Sequence, residues 1–460
     1  MARPRLRAAI VGAGPAGAFA AASILRGWGD AEIDFFERLP TPWGLLRGGV
    51  APDHQEIKRL EQTFDRQTLA RGCRFFGNVE VGVDVSHAEL MRHYNAVVYA
   101  TGAQTDKSLG IPGEDLPGSW AATEFVAWYN GHPDYRHLDF DLSARRAVVI
   151  GNGNVAADVT RILARSPGEV ERTDIADHAL DVLRASRIEE VVVLGRRGPA
   201  QAAFTSAELR ELGNLDGVEI RVSGEDVELD PVSERWLAEE GTFTARKNLE
   251  LLREFADRPP RETARRIDLR FLSSPVAIRG GERVEAVDVR RNEIVRADDG
   301  SLRARPTAKP LETIECGIVL RSVGYRAVPL PDVPFDERYC VLPNDRGRVL
   351  APDGEPLPGA YAVGWIKRGP TGILGTNKRD AEETVACLLE DLDAGALAEP
   401  VEADRDAIDA LITERKPNAV TVEGWRAIDA HEVDRGLSEE RPRVKLASRD
   451  ELLAAAAQAG

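Results

Sequence analysis

Residues 6–17 have the sequence LRAAIVGAGPAG, and this stretch decides the fold of the first part of the chain. A short apolar run, Leu6–Val11, ends at Gly12, and an alanine-rich helical pattern follows to about Arg26. A second apolar run, Ile33–Phe36, comes next, so the order is strand, helix, strand. This alternation predicts a parallel sheet with helices on its faces.

Three glycines of this stretch, Gly12, Gly14 and Gly17, have G-x-G-x-x-G spacing between the predicted strand and helix. Such glycines allow a tight turn, close approach of the backbone to a pyrophosphate, and close helix–sheet packing. The helix N-terminus adds free N–H groups for the phosphates. Glu37 follows Gly17 by 20 residues, at the end of the second strand, where a carboxylate accepts from ribose hydroxyls. The alternative is a glycine turn without a ligand.

A second strand–glycine–helix unit begins at Ala147–Ile150, where residues 151–156 are GNGNVA, the G-x-G-x-x-A variant. Two such units predict two dinucleotides, usually one flavin and one nicotinamide, and we assign FAD to the first. The next strand, Val191–Leu194, is followed by Arg196 and Arg197, where an NAD site carries an acid. Guanidinium groups suit a 2′-phosphate, so we predict NADPH, although an Arg-Arg pair can also be a solvated turn.

The predicted fold class is α/β, with two doubly wound Rossmann-like nucleotide-binding domains. We place the FAD domain at 1–107 and 325–460, with the NADP domain, 108–324, inserted into it. From Val227 to about Ala308, charged and apolar residues alternate, which predicts β-structure with exposed faces. Residues 39–54, LPTPWGLLRGGVAPDH, are too irregular for a regular element.

Composition excludes several classes of function. The formal net charge of -16 opposes nucleic-acid binding, because a polyanion would be repelled. The four cysteines form no C-x-x-C pair, so an intrinsic iron–sulfur cluster, a zinc knuckle and a dithiol couple all lose support. Scattered single thiols fit a reducing cytoplasm, where we expect this protein.

The N-terminus resembles a secretory signal, because arginines precede an apolar run from Ala8 to Leu25. Glycines interrupt that run with strand–turn–helix spacing, and cleavage would delete the motif. We therefore expect no secretion. No other run approaches the roughly 18 apolar residues of a transmembrane helix, so we expect no membrane span.

A third glycine-rich turn lies towards the C-terminus, where Trp365 follows Gly364 at the end of a predicted strand. Residues 369–372, GPTG, lead into another helix. The positive end of that helix could face the pyrimidine edge of a flavin and stabilise the negative charge of its reduced form. Taken alone, Trp365 is more often a core or rim aromatic residue than a flavin contact.

Together these segments resemble the adrenodoxin reductase-like NADPH–ferredoxin reductases. The tail segments VEGWRAID and RPRVKLAS also resemble the C-terminal region of this family. The other matching segments are VGAGPAG, ERLPTPWGLLRGGVAPDH, GNGNVAADVTRIL, LGRRGPAQAAFTSAELREL and GWIKRGPTGILGTNKRDA.

The resemblance implies a set of cofactor contacts beyond the glycines named above. Lys107 lies where relatives can carry an arginine that contacts NADP. The implied FAD contacts are Ala16, Glu37, Leu45, Val81, Trp365, Gly372, Ile373 and Leu374. The implied NADP contacts are Asn152, Gly153, Asn154, Val155, Arg196, Arg197, Glu208 and Gly372.

The resemblance also implies that His54 and Glu208 lie near the contact of flavin and nicotinamide. Taken alone, His54 would be an ordinary loop histidine and Glu208 a surface acid. Hydride transfer needs no acid or base, so we expect both residues to orient and to act electrostatically rather than as obligatory proton donors.

The implied reaction passes a hydride from NADPH to FAD and then single electrons to an iron–sulfur protein. No ferredoxin-like cysteine cluster is appended, so we expect a separate ferredoxin. Ferredoxins are commonly acidic, so docking would need a local basic patch, with Arg210 a candidate member. Alternatives are a disulfide reductase, which the absent C-x-x-C opposes, an NADPH-dependent quinone or dye reductase, and a non-catalytic NADP-sensing flavoprotein.

Overall fold

The strand predicted at Leu6–Val11 is present as Arg7–Val11, and all its residues are buried in the interior of a mostly parallel sheet. The computed structural model describes residues 5–372 and 374–459. The chain divides into two compact units. Unit 1 comprises Met1–Thr105, Asn130–Arg136 and Gly324–Gly460, and unit 2 comprises Asp106–Tyr129 and His137–Val323. The division predicted from the sequence placed residues 130–136 in the NADP domain, whereas the structure groups Asn130–Arg136 with unit 1.

Unit 1 contains a seven-stranded sheet whose first two strands in spatial order pair antiparallel, while the other five run parallel. Its strands lie in the order Asn344–Asp345, Arg348–Leu350, Pro356–Ala362, Ala96–Tyr99, Arg7–Val11, Glu32–Glu37 and Arg74–Gly77.

The two faces of this sheet bury separate hydrophobic cores. Successive strand residues point to opposite faces, so Ile10 and Val98 belong to one core while Val11 and Tyr99 belong to the other. Because both faces are covered, the parallel strands are almost uniformly apolar. The helices of unit 1 are Pro15–Gly27, Leu45–Gly48, Gln55–Lys58, Leu60–Gln67, His87–His93, Trp365–Arg368, Leu374–Asp393, Arg405–Arg415, Val422–Ser438 and Arg449–Ala456.

Unit 2 contains a six-stranded sheet that is parallel throughout. Its strands lie in the order Ser119–Ala121, Ile318–Arg321, Arg146–Ile150, Glu190–Leu194, Arg265–Arg270 and Val218–Val222. The helices of unit 2 are Ala122–Tyr129, Asn154–Ala164, Pro167–Val170, Asp177–Arg184, Ser206–Gly213, Gly224–Val227, Pro231–Glu239 and Phe243–Ala256. Two-residue strands, Thr105–Asp106 and Tyr325–Arg326, lie where the chain passes between the units.

A four-stranded antiparallel sheet packs on the parallel sheet of unit 2. Val287 and Ile314 from the antiparallel sheet share a core with Val148 and Val192 from the parallel one. The predicted β-structure of this region is therefore present, but one of its faces is covered rather than exposed. Its strands are Ser273–Arg279, Ala286–Arg296, Leu302–Pro306 and Glu312–Glu315.

The prediction of β-structure from residue 227 onwards was wrong for its first part, which forms the helices Pro231–Glu239 and Phe243–Ala256. The Asp230 side chain caps the first, and the Thr242 side chain caps the second. In the second helix the buried apolar residues recur at helical rather than strand spacing. They are Ala245, Leu249, Leu251, Leu252 and Phe255.

A further expectation was that residues 39–54 contain no regular element. They contain one helical turn, Leu45–Gly48, which begins after Gly44. Among residues 5–372 and 374–459, no helix is both long and apolar enough to cross a membrane.

One carboxylate in unit 1, Glu432, is completely buried in the helix Val422–Ser438. Both oxygens of Glu432 accept from the guanidinium of Arg47, at 2.8 and 2.5 Å. Arg443 lies 3.4 Å away, and the Leu446 backbone N–H donates at 2.8 Å. Burial alone would raise the pKa of Glu432, but these cations and this N–H hold the pKa below its ordinary value.

We predict that Glu432→Gln lowers the free energy of unfolding by about 3–5 kcal/mol, because it leaves Arg47 and Arg443 buried without their common carboxylate. Urea titration at neutral pH would measure this loss. Because folding lowers the pKa of Glu432, its stabilising contribution is present above the unfolded value of about 4.3 and is lost as pH falls through the folded pKa. The variant and the parent should therefore converge in acid.

The matched control is Glu56→Gln, which breaks the exposed pair of Glu56 with Arg59. Exposed pairs contribute about 0–1 kcal/mol, so this variant should unfold almost like the parent. Equal losses in the two variants would contradict the special contribution of Glu432.

Candidate functional site

The first glycine turn of unit 1 is too crowded for side chains. Gly12 has φ +100°, and a Cβ there would lie 2.6 Å from the carbonyl oxygen of Ala100. A Cβ on Gly17 would lie 2.2 Å from the carbonyl oxygen of Gly12. Both distances are below any real contact, so only glycine lets the strand, the turn and the helix pack this closely.

Gly14 stands in contrast, because a Cβ there would meet only the Cα of Gly44, at 3.8 Å. Gly14 is also the N-cap of the helix Pro15–Gly27, and no side chain caps that helix. Its first N–H groups are therefore available to a bound anion, and Pro15 at the first position removes only one of them. The open approach and the free donors fit a pyrophosphate.

Glu37 is held by the backbone of the same turn. Its Oε2 accepts from the Ala13 N–H at 2.9 Å, and its Oε1 accepts from the Leu39 N–H at 3.0 Å. Burial raises the pKa of Glu37 above its ordinary value, although these backbone donors oppose the rise. Each oxygen keeps a second lone pair, so the carboxylate can still accept from a ribose hydroxyl.

The loop that contains the predicted FAD contact Leu45 lies against this turn. Trp43 is 2% exposed, adopts φ +79° and donates its backbone N–H to the Ala13 carbonyl at 2.8 Å. A Cβ on Gly44 would lie 3.0 Å from the Cα of Gly14. The next residue, Leu45, is a large apolar side chain that is 37% exposed, which fits contact with a ligand. Sequence reasoning did not single out Trp43 and Gly44. The signal that could have found them was the adjacent Trp-Gly pair.

The turn after the strand Pro356–Ala362 also reaches the first fingerprint. A Cβ on Gly364 would lie 2.6 Å from the Cβ of Ala16. Trp365, the next residue, is partly buried and packs on Tyr325 with ring centroids 5.1 Å apart. Its indole Nε1 is buried and has no hydrogen-bond partner among the described residues. A buried donor of this kind fits an acceptor on a bound cofactor.

The remaining predicted residues of unit 1 occupy defined positions. Gly372 has φ +82° and is exposed, and the helix Leu374–Asp393 begins two residues later. Ile373 lies outside the described residues. Val81 is 8% exposed and forms an isolated bridge with Val85, while His54 is the N-cap of the short helix Gln55–Lys58.

The second fingerprint, in unit 2, repeats the geometry of the first. Gly151 has φ +134°, and a Cβ there would lie 2.2 Å from the carbonyl oxygen of Ser322. Gly153 is the N-cap of the helix Asn154–Ala164, again with no side-chain cap. The Nδ2 of Asn152 is buried without a partner among the described residues, close to Gly195. Free helix donors beside an unpaired amide fit a phosphate-bearing ligand.

Predicted NADP contacts far apart in sequence are joined within unit 2. Asn154 accepts from the Thr205 N–H at 2.8 Å, and Thr205 caps the helix on which Glu208 lies. The Glu208 carboxylate accepts from Arg161 at 3.0 Å, and Arg161 is completely buried. Sequence reasoning did not identify Arg161, which also pairs with Asp158 at 2.6 Å. Val155 is the second residue of the helix that begins at Asn154.

Arg196 and Arg197 have no carboxylate partner within the part of the chain that the structure describes. Arg196 is exposed and Arg197 is partly buried. Burial and the neighbouring charge of Arg196 lower the pKa of Arg197. Two neighbouring cations without a counter-ion fit a phosphate group. Lys107, also in unit 2, is exposed.

Comparison with known proteins agrees with this geometry. Residues 6–223 match the family described as pyridine nucleotide-disulphide oxidoreductase. NADPH-ferredoxin reductase FprA of Mycobacterium tuberculosis is 49% identical over 454 residues, which are 97% of this chain and 98% of that protein. The mitochondrial NADPH:adrenodoxin oxidoreductase of Arabidopsis thaliana is 42% identical over 466 residues, 98% of this chain and 95% of that protein.

A solved structure of Mycobacterium tuberculosis FprA in complex with NADPH superimposes with a TM-score of 0.93. That structure is 47% identical in sequence and covers 99% of this chain and 100% of its own. The fold class and the resemblance predicted from the motifs are therefore confirmed. This chain belongs to the NADPH–ferredoxin reductase family, of the adrenodoxin reductase type.

Proposed function

We propose that this chain takes electrons from NADPH through FAD and delivers them one at a time to a separate ferredoxin-type iron–sulfur protein. Family membership supports the reaction. The choice of NADPH rests on one structural observation in unit 2. Within the described part of the chain, the guanidinium groups of Arg196 and Arg197 have no carboxylate partner, and the fingerprint helix Asn154–Ala164 has no side-chain cap. When bound, FAD supplies the conversion of one two-electron transfer into two one-electron transfers.

The residues of unit 1 bind and orient FAD in this proposal. Gly12 and Gly14 let the backbone approach the pyrophosphate, and Glu37 accepts from the ribose. Trp365, Leu45 and the turn at Gly372 contact the rest of the flavin. Preorganised backbone donors of this kind need no rearrangement when the anion binds, so binding loses little free energy to ordering.

The residues of unit 2 bind and orient NADPH. Asn152 and the first N–H groups of the helix Asn154–Ala164 bind the pyrophosphate, and Arg196 and Arg197 bind the 2′-phosphate. Glu208 is positioned by Arg161, whose buried guanidinium leaves the carboxylate few alternative orientations. We propose that His54 and Glu208 orient the reactants and adjust the local electrostatics, without moving a proton in the hydride transfer.

We also propose that the protein works in a reducing compartment such as the cytoplasm. The four cysteines, Cys73, Cys316, Cys340 and Cys387, are all free and buried. Burial raises the pKa of both Cys73 and Cys316 to about 12, so little reactive thiolate forms at neutral pH. Such thiols act as small core residues.

The proposed function predicts a two-stage reaction. The purified protein should be yellow and release FAD on denaturation, NADPH should bleach it rapidly, and oxidised ferredoxin should restore the colour. Ferredoxins are commonly acidic and this chain has a formal net charge of -16, so we expect docking to use local cations such as the exposed Arg210. Turnover at sub-saturating ferredoxin should therefore fall as salt shortens the Debye length to about 8 Å.

Ferricyanide reduction, which needs no protein docking, is the control and should change much less with salt. Stopped-flow absorbance measures each stage. Failure of NADPH to bleach the flavin would overturn the proposal. Brisk quinone reduction without reduction of any ferredoxin would instead favour an NADPH-dependent quinone reductase.

The arginine pair predicts the choice of nicotinamide cofactor. A hydrogen bond to a charged phosphate contributes about 1.5–3 kcal/mol, so Arg196→Ala or Arg197→Ala should weaken NADPH binding about tenfold or more. Binding of NADH, which has no 2′-phosphate, should change much less. Titration of each variant with both cofactors gives the two dissociation constants.

The matched control for these variants is Arg253→Ala, because Arg253 is an exposed arginine of the same unit on the helix Phe243–Ala256. It should leave the preference for NADPH over NADH unchanged. If both arginine variants kept the preference of the parent, the 2′-phosphate would have to bind elsewhere.

The proposed roles of His54 and Glu208 predict partial effects. His54→Gln and Glu208→Gln should each slow flavin reduction by NADPH by less than the roughly 100-fold that loss of a general acid or base costs. FAD should stay bound, and the ferredoxin stage should be unchanged. Single-turnover mixing separates the stages. Complete loss of flavin reduction with FAD still bound would show that one of these residues is obligatory.

A further inference from the structure

A buried carboxylate organises the turn that carries Trp365. Asp380 lies on the helix Leu374–Asp393 and is 7% exposed. It accepts from the Gly364 backbone N–H, and two cations lie beside it. The Nζ of Lys367 is 3.1 Å away, and the Nη1 of Arg368 is 3.2 Å away. Asp380 thus joins the end of a strand, a short helix and a long helix.

Arg368 extends this connection across the turn GPTG, residues 369–372. Its Nη2 donates to the Thr371 carbonyl at 3.1 Å and to the Asn377 Oδ1 at 2.7 Å. Its Nε is buried without a partner among the described residues, as is the Nε1 of Trp365 three residues earlier. Two unsatisfied buried donors on one short helix indicate that an acceptor-bearing ligand completes this surface.

The charges of this group balance only when the exposed Glu383 is included. Lys367 and Arg368 supply two positive charges, and Asp380 supplies one negative charge. The other acid that contacts Lys367 is Glu383, whose Oε2 lies 2.6 Å from the Lys367 Nζ and whose side chain is 50% exposed, so this pair contributes less than a buried one. The three charges whose side chains are at most 19% exposed are Lys367, Arg368 and Asp380, hereafter the Asp380 cluster, and together they sum to one positive charge.

We propose that Arg368 and Asp380 are positioning residues of the flavin site, and that the Asp380 cluster sets the redox potential of bound FAD. This inference rests on the proposed function, in which Trp365, Ala16 and Gly372 contact FAD. Gly364, which Asp380 holds, abuts Ala16. Reduced flavin carries more negative charge than oxidised flavin, so an excess positive charge beside it favours reduction.

The decisive experiment compares the midpoint potential of bound FAD in two variants that change the charge in opposite directions. Asp380→Asn removes a negative charge with little change of shape and should raise the potential. Arg368→Met removes a positive charge and should lower it. Each variant should change the ratio of the affinities for reduced and oxidised flavin about tenfold. This change corresponds to a shift of about 30 mV in the midpoint potential of a two-electron couple. A purely structural role would not give shifts of opposite sign.

Two further variants separate charge from shape. Arg368→Lys keeps the charge but loses the planar fork, so the potential should stay near that of the parent while FAD dissociates faster. Glu383→Gln removes a charge on the same helix at an exposed position, and its shift should be less than half that of Asp380→Asn. Spectroelectrochemical titration gives the potentials, and dialysis against apoprotein gives the rate of FAD loss.

The outcomes distinguish this inference from the function on which it rests. A wild-type protein that does not hold FAD would overturn both. If the wild type binds FAD and is reduced by NADPH, shifts of the same sign, or none, in Asp380→Asn and Arg368→Met would overturn the inference alone. If Asp380→Asn does not fold, an unchanged potential in Arg368→Met overturns it.

Discussion

The rest of the structure depends on the close approach of two backbones at a strand–glycine–helix turn. In unit 1 the turn at Gly12 lies against Ala100, and in unit 2 the turn at Gly151 lies against Ser322. A single Cβ would separate these backbones in either unit. Because the turns are this tight, each following helix begins at the carboxyl edge of its sheet with its first N–H groups free, which is where open parallel sheets bind ligands. Both units therefore need glycine at the corresponding turn, for the same steric reason.

Electrostatics then divides the charged residues into two classes. Most buried charges have an opposite charge in direct contact, as Glu432 has in Arg47 and Arg443. An unpaired charge in a medium of low dielectric constant costs several kcal/mol. Arg196 and Arg197 have no counter-ion among residues 5–372 and 374–459. Arg197 is partly buried, so the absence of a counter-ion there fits a group that receives its negative charge from a ligand.

The local chemistry of the sequence predicted much of this. Glycine spacing, flanking apolar runs and the position of Glu37 are features of contiguous segments, and the observed strands Arg7–Val11 and Glu190–Leu194 agree with them. The region after Val227 was misassigned because, over only a few positions, alternating charged and apolar residues fit the period of a helix as well as that of a strand. The helix caps at Asp230 and Thr242 decide the outcome there.

What the sequence by itself determined is the chemistry of short segments: two strand–glycine–helix turns, an acid after the second strand, a pair of arginines, and a family. Only the tertiary structure decided which distant groups meet. Asp380 binds the N–H of Gly364 across 16 residues, and Arg161 binds Glu208 across 47. Such contacts follow from how helices pack on a sheet, and packing depends on the shape of the whole unit. Glycine spacing, by contrast, acts through sterics within a single turn, so it can be recognised before any element is packed.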